Sequence, residues 1–104
     1  MERVGFKMKL FPGRQAEYKK RHDEIWPELS EMLAARGIRD FNIFHDPETD
    51  ILFAFFRRTP GARLDDLESD PVMRRWWDHM ADVMETEPGN KPVQIPLVDV
   101  FHMD

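Results

Sequence analysis

The chain has 104 residues, no cysteine, and 20 acidic against 15 basic side chains, for a net charge of −5. That length suits a single domain over residues 1–104; the missing thiols exclude disulfide frameworks, thiolate metal centres and cysteine nucleophiles. Basic residues scattered on an acidic chain form no stripe for a phosphate backbone, so no nucleic-acid partner is expected. No apolar run approaches the ~20 residues of a membrane helix, and Met1 leads into charged residues, so no membrane association and a cytosolic location are expected.

Residues 3–11 alternate, with Val4, Phe6, Met8 and Leu10 on one side and Arg3, Lys7 and Lys9 on the other, which predicts a strand broken by Pro12-Gly13. From Arg14 to Ala35 the residues Tyr18, His22, Ile25, Trp26, Leu29, Met32 and Leu33 recur at spacings of three and four, the stripe of an amphipathic helix. Pro27 interrupts it, because a proline has no N–H for the carbonyl of Asp23 and its ring crowds that turn; a kink or two abutting helices follow. Gly37 is placed to cap the second segment. Residues 38–46 and 51–58 predict a hairpin around the turn Asp46-Pro47-Glu48-Thr49-Asp50.

A short polar helix over 64–69 then precedes an amphipathic one over 71–84. Met73, Trp76, Trp77, Met80, Val83 and Met84 share its apolar face, and Arg74, Arg75, Asp78, His79 and Asp82 its polar face. After a proline-rich loop, residues 97–103 predict a last strand. The order βαββαβ is that of a ferredoxin-like α+β sandwich. Residues 51–56, Ile-Leu-Phe-Ala-Phe-Phe, are apolar on both faces, although helices can cover only one side of such a sheet. A homodimer packed through sheets would bury the other.

His22, His45, His79 and His102 are the side chains that titrate near neutrality without large perturbation, and so are the acid–base candidates. None pairs with another at a two- or four-residue interval, so no zinc-site spacing is present; Asp78, His79 and Asp82 cluster locally but on a polar helix face. His22 shares its stripe with Tyr18 and Trp26, so phenol, imidazole and indole can line up, as a core histidine with satisfied neighbours or as part of a site. Its position just before the Pro27 kink puts it near free helix carbonyls, which favour a protonated imidazole by about 0.3 to 1 kcal/mol. That predicts a ready proton donor. Trp76 and Trp77 suit either a core or a sugar site, because a pyranose packs its C–H face on an indole whose N–H can hold a hydroxyl. The basic run Lys19-Lys20-Arg21 precedes Asp23 and Glu24 and is expected as a solvated helix face.

The stretch from Tyr18 to Leu29 fits the pattern YxxRHxxIWPEL, and the residues from Arg75 to Met84 carry a second block around Trp76-Trp77, Met80 and Asp82-Val83-Met84. With Asn90, Pro92-Val93 and Val100-Phe101, these blocks span nearly the whole chain, and together they resemble the L-rhamnose mutarotase family. The resemblance implies a dimeric α+β barrel fold and interconversion of the α and β anomers of L-rhamnose without metal or cofactor. It implies His22 as the catalytic acid and Tyr18, Trp76 and Trp77 as sugar contacts. Phe41 stands where the family carries a second sugar-binding tyrosine, so one hydroxyl contact is missing. Two other readings of the same residues are a cofactor-free monooxygenase of this fold, with an aromatic substrate, and a non-catalytic small-ligand binding domain.

Overall fold

The computed structural model describes residues 1–104. Its elements are β1 (Glu2–Lys9), α1 (Gln15–Asp23), α2 (Pro27–Ala35), β2 (Ile38–His45), β3 (Ile51–Arg58), a 3₁₀ turn (Leu67–Ser69), α3 (Pro71–Met80) and β4 (Ile95–Pro96). The strands form one antiparallel sheet in the order β2-β3-β1-β4, the ferredoxin-like arrangement expected from the element order. No helix is long and apolar enough to cross a membrane.

Alternation in β1 and β3 sorts the two faces of the sheet. Val4, Phe6 and Met8 lie opposite Phe56, Ala54 and Leu52 in register, and this inner face joins Leu29 of α2 with Met73, Trp76, Trp77 and Met80 of α3 in the core. The outer face carries Phe44, Phe53 and Phe55, which are 62%, 38% and 45% exposed, with Phe44 and Phe55 stacked at 6.0 Å. The strand 51–58 is thus apolar on a covered face and on a bare one.

Pro27 divides the first helical region as its chemistry requires. α1 ends at Asp23, and Pro27 occupies the first position of α2, where a missing N–H costs nothing. The C-terminus of α2 is closed by Gly37, at φ +98°, whose N–H donates to the Ala34 carbonyl. A Cβ there would meet Thr59 Oγ1 at 2.5 Å and Ala62 Cβ at 2.8 Å. Gly37→Ala is therefore expected to destabilise the fold by about 1–3 kcal/mol, read as a lowered denaturation midpoint; a midpoint unchanged from the wild type would contradict this account of the turn.

Three elements depart from the sequence expectation. The apolar phase of α3 continues through Val83 and Met84, yet the helix stops at Met80 because β1 captures the chain: Phe11 N–H donates to the Val83 carbonyl and Glu85 N–H to the Lys9 carbonyl, each at 2.9 Å. The last strand, expected over 97–103, is only Ile95–Pro96, paired with Lys7 and Phe6. Pro96 has no N–H for the ladder, and after the Leu97 N–H to Gly5 carbonyl bond the chain leaves the sheet with Val98, Val100 and Phe101 exposed. The polar helix expected over 64–69 is shorter too, a single 3₁₀ turn.

Candidate active site

A cleft of about 1030 Å³ opens between the inner sheet face and the helices, at the upper end of the ~300–1,000 Å³ usual for ligand pockets. Tyr18, His22, Phe41, Trp76 and Trp77, the five residues singled out in the sequence, all line it.

α1 brings Tyr18 and His22 together through its i, i+4 spacing, with ring centroids 4.4 Å apart. The His22 ring meets Trp76 edge-on at 5.4 Å. Trp26 lies beyond the end of α1, so it does not continue that stripe. It comes back after the kink to meet Trp76 at 5.1 Å and His79 at 5.4 Å. Trp76 is thus the ring that His22 and Trp26 share. Trp77 is buried alongside, with the Arg74 guanidinium 5.7 Å from its ring centroid.

Polar handles remain available in this apolar setting. No buried side-chain nitrogen or oxygen lacks a hydrogen-bond partner. The Tyr18 hydroxyl and the indole N–H groups of Trp76 and Trp77 bond nothing within the chain, so they are accessible rather than sealed in the core. Burial pushes the Tyr18 phenol well above its ordinary range, so it stays protonated and can donate to a ligand.

His22 Nδ1 lies 3.0 Å from the Tyr18 carbonyl. A carbonyl only accepts, so Nδ1 carries the hydrogen and, in the neutral ring, Nε2 holds the free lone pair. Burial lowers the His22 pKa below its ordinary value, against the Tyr18 carbonyl bond and the Asp23 charge, which favour the protonated form. This corrects the expectation of a resting proton donor: the carbonyl that meets the ring belongs to Tyr18 within α1 rather than to the helix end, and desolvation of the cation outweighs it. The resting imidazole is a proton acceptor.

α1 is anchored by Arg21, which was expected to be solvated. Its side chain is only 15% exposed; it donates to the His79 carbonyl at the end of α3 (2.6 Å), to Asp82 (2.7 Å) and to Glu17 (2.8 Å). A cation bonded to the carbonyls at a helix C-terminus is favourably placed, and it sets α1, hence Tyr18 and His22, against Trp76. Its place within the motif was visible in the sequence, but Asp82, one of its two neutralising acids, came from 61 residues away.

The Asp78, His79 and Asp82 group does not converge on a common point. Asp78 accepts from Asn90, Asp82 from Arg21, and His79 lies against Trp26.

Phe41 reaches the cleft through a bulge. Arg39 pairs with Arg57 and Asn42 with Phe55, so Asp40 and Phe41 together oppose Phe56, with Asp40 at φ +51°. Such an extra residue slips the alternation and re-aims side chains. Phe41 thereby stacks on Phe56 at 5.5 Å on the inner side, 43% exposed, while Asn42 is occupied by the Asp40 carbonyl. An open edge at this ring predicts that Phe41→Tyr folds with stability changed by less than about 1 kcal/mol and tightens binding of a hydroxylated ligand by at most about tenfold, the scale of one neutral hydrogen bond. A loss of several kcal/mol with unimproved kinetics would show a closed position.

The L-rhamnose mutarotase family profile matches residues 3–103. The chain belongs to the L-rhamnose mutarotase family. It is 55% identical over 103 residues to an L-rhamnose mutarotase of Jannaschia sp. (strain CCS1), covering 99% of each chain, and 51% identical over 104 residues to one of Bacteroides thetaiotaomicron, covering both completely. The crystal structure of an L-rhamnose mutarotase from Formosa agariphila superposes with a TM-score of 0.92 at 45% identity, again over the whole of both chains. A mutarotase therefore has to be explained from a cleft whose wall is aromatic and whose half-buried histidine rests neutral.

Proposed function

We propose that this chain is an isomerase that interconverts the α and β anomers of L-rhamnose in the cleft bounded by α1, α3 and the sheet. The observation that carries the mechanism is the packing of His22, with a free Nε2, against Trp76. Mutarotation needs a proton taken from the anomeric hydroxyl and one delivered to the ring oxygen, after which the open aldehyde turns about C1–C2 and closes on its other face. A neutral His22 accepts the first of these protons and returns it on closure. Trp76 and Trp77 hold the ring's apolar face and exclude bulk water, while their N–H groups and the Tyr18 hydroxyl bind sugar hydroxyls. The step requires no change of oxidation state. The monooxygenase and passive-binding readings draw no support from full-length kinship with mutarotases.

The reading is tested by polarimetry. Freshly dissolved crystalline L-rhamnose should reach its equilibrium rotation faster with catalytic protein than without, at equal pH and buffer; equal relaxation rates would refute it.

The proposal includes a cytosolic homodimer. Phe44, Phe53 and Phe55 form an apolar outer face, and exposed aromatic clusters of this kind mark association surfaces. Light scattering should give twice the 12.4 kDa chain mass, and Phe55→Asp should bring it to that of one chain. A wild-type particle of 12.4 kDa at micromolar concentration would contradict the dimer.

A further inference from the structure

A mutarotase must serve two oxygens on one carbon, and His22 accounts for only one of them. Among the other titratable groups of the cleft, the Tyr18 phenol is held protonated by burial and is placed with the sugar contacts, and the charged groups around it are engaged elsewhere. Lys19 and Asp23 pair with each other at the surface, Arg39 donates to the Ala34 and Ile38 carbonyls, and Asp40 lies near Arg57 with more than half its side chain exposed.

His45 differs from these. It ends β2 opposite Leu52, whose side chain is buried in the core, and it lines the same cleft as His22, from the sheet rather than from the helix. Its Nε2 lies 3.0 Å from Asp50 Oδ1, with about a quarter of each side chain exposed. The carboxylate accepts, so Nε2 carries the hydrogen, and Nδ1 is left for a ligand, as a lone pair in the neutral ring and as a second N–H donor in the imidazolium. Asp50 is held firmly: its N–H donates to the Asp46 carbonyl at 2.8 Å, its carbonyl accepts from Leu10 N–H at 2.9 Å, and its φ is +60°. That left-handed conformation favours glycine or asparagine, and an aspartate in it keeps a carboxylate on the imidazole. A carboxylate on the far nitrogen orients an imidazole and stabilises the imidazolium that forms, the arrangement of many proton-transferring histidines.

We propose that His45, oriented by Asp50, is the second acid–base residue of the cleft and serves the ring oxygen while His22 serves the anomeric hydroxyl. The assignment rests on the mutarotase reading above. In ring opening, the O1 proton passes to His22 Nε2 and the O1–C1 bond becomes the aldehyde carbonyl. The C1–O5 bond breaks with its electron pair on O5, which takes the proton from His45 Nδ1. After rotation about C1–C2, O5 attacks the other face and returns its proton to His45, and O1 recovers one from His22. Both histidines end as they began.

The charged groups of the turn beside His45 are Asp46, Glu48 and Asp50, with the Lys9 ammonium on the Thr49 carbonyl; β1 and β3 present Met8 and Leu52 to the same cleft, and α1 presents Lys19, His22 and Asp23. The test measures kcat and KM for L-rhamnose exchange in wild type, His45→Gln and Asp50→Asn, with circular dichroism as the check on folding. His45→Gln should lower kcat at least tenfold with little change in KM, the split expected of a proton-transfer group rather than a binding contact. Asp50→Asn, which keeps the backbone conformation, should lower kcat in the same direction, again with KM little changed. Full kcat in His45→Gln, or in a folded Asp50→Asn should His45→Gln not fold, would overturn the assignment while leaving the mutarotase reading intact. A wild type that does not accelerate exchange would defeat both.

Discussion

Replacing His22 by alanine should lower the rate of L-rhamnose anomer exchange by about 10²-fold or more, the usual contribution of a positioned proton-transfer group. The ring is half-buried, and its only bond within the chain is to a carbonyl one turn back on its own helix. Removing it leaves α1 anchored by Arg21, so the fold should persist, and circular dichroism would establish that. His22→Gln keeps volume and polarity without proton transfer and should be equally inactive. A folded His22→Gln with full activity would make His22 a packing residue.

The pH dependence follows from the same burial. The His22 pKa lies below its ordinary 6.5, so the neutral, proton-accepting form prevails at neutrality and the acid limb of the rate profile should fall below pH 6.5. For stability the sign is that of a cation disfavoured by folding. Below about 6.5 the unfolded chain binds this proton more readily than the folded one, so stability declines as pH drops through that window and is unaffected by this group above it. His22→Gln should flatten this part of the stability curve; an undiminished slope would assign it to other groups.

Trp76→Ala should be the most destabilising single change in the site, by about 3–5 kcal/mol, the range for truncating a buried aromatic. Trp76 is 6% exposed and is the ring on which His22, Trp26 and His79 converge. Its loss would leave a cavity and free the imidazole at once. Against a total of about 5–15 kcal/mol for a domain, that is a large fraction, and the melting midpoint should drop well beyond ten degrees. Trp76→Phe separates structure from recognition. It should recover most of the stability while lacking the N–H, and raise KM for L-rhamnose by up to about tenfold. A Trp76→Ala variant as stable as wild type would show that the ring is a mobile lining rather than the joint between α1 and α3.

Much of this arrangement could be read in the sequence. The two-residue period of Val4 to Leu10, the break at Pro27 and the face shared by Met73, Trp76, Trp77 and Met80 are local properties, and each appears where its chemistry requires. What escaped depended on partners distant in sequence. The end of α3 is set by β1, not by the phase of Val83 and Met84. Phe41 faces the cleft because a bulge slips the register, and a strand pattern carries no mark of that. Arg21 reads as one of three solvated cations until Asp82 and the His79 carbonyl are set beside it. The charge state of His22 turned on burial, which the i, i+4 spacing could not measure.

Opening and reclosure of the L-rhamnose ring in this cleft is the event on which all of these variants bear. It is tested most directly by magnetisation transfer between the α and β H1 resonances of L-rhamnose at equilibrium, with wild type and His22→Gln in parallel and with EDTA added to a second wild-type sample. Catalytic wild-type protein should speed the transfer equally with and without chelator, and His22→Gln should leave it at the rate of buffer alone. Transfer no faster with wild-type protein than in buffer would contradict the claim.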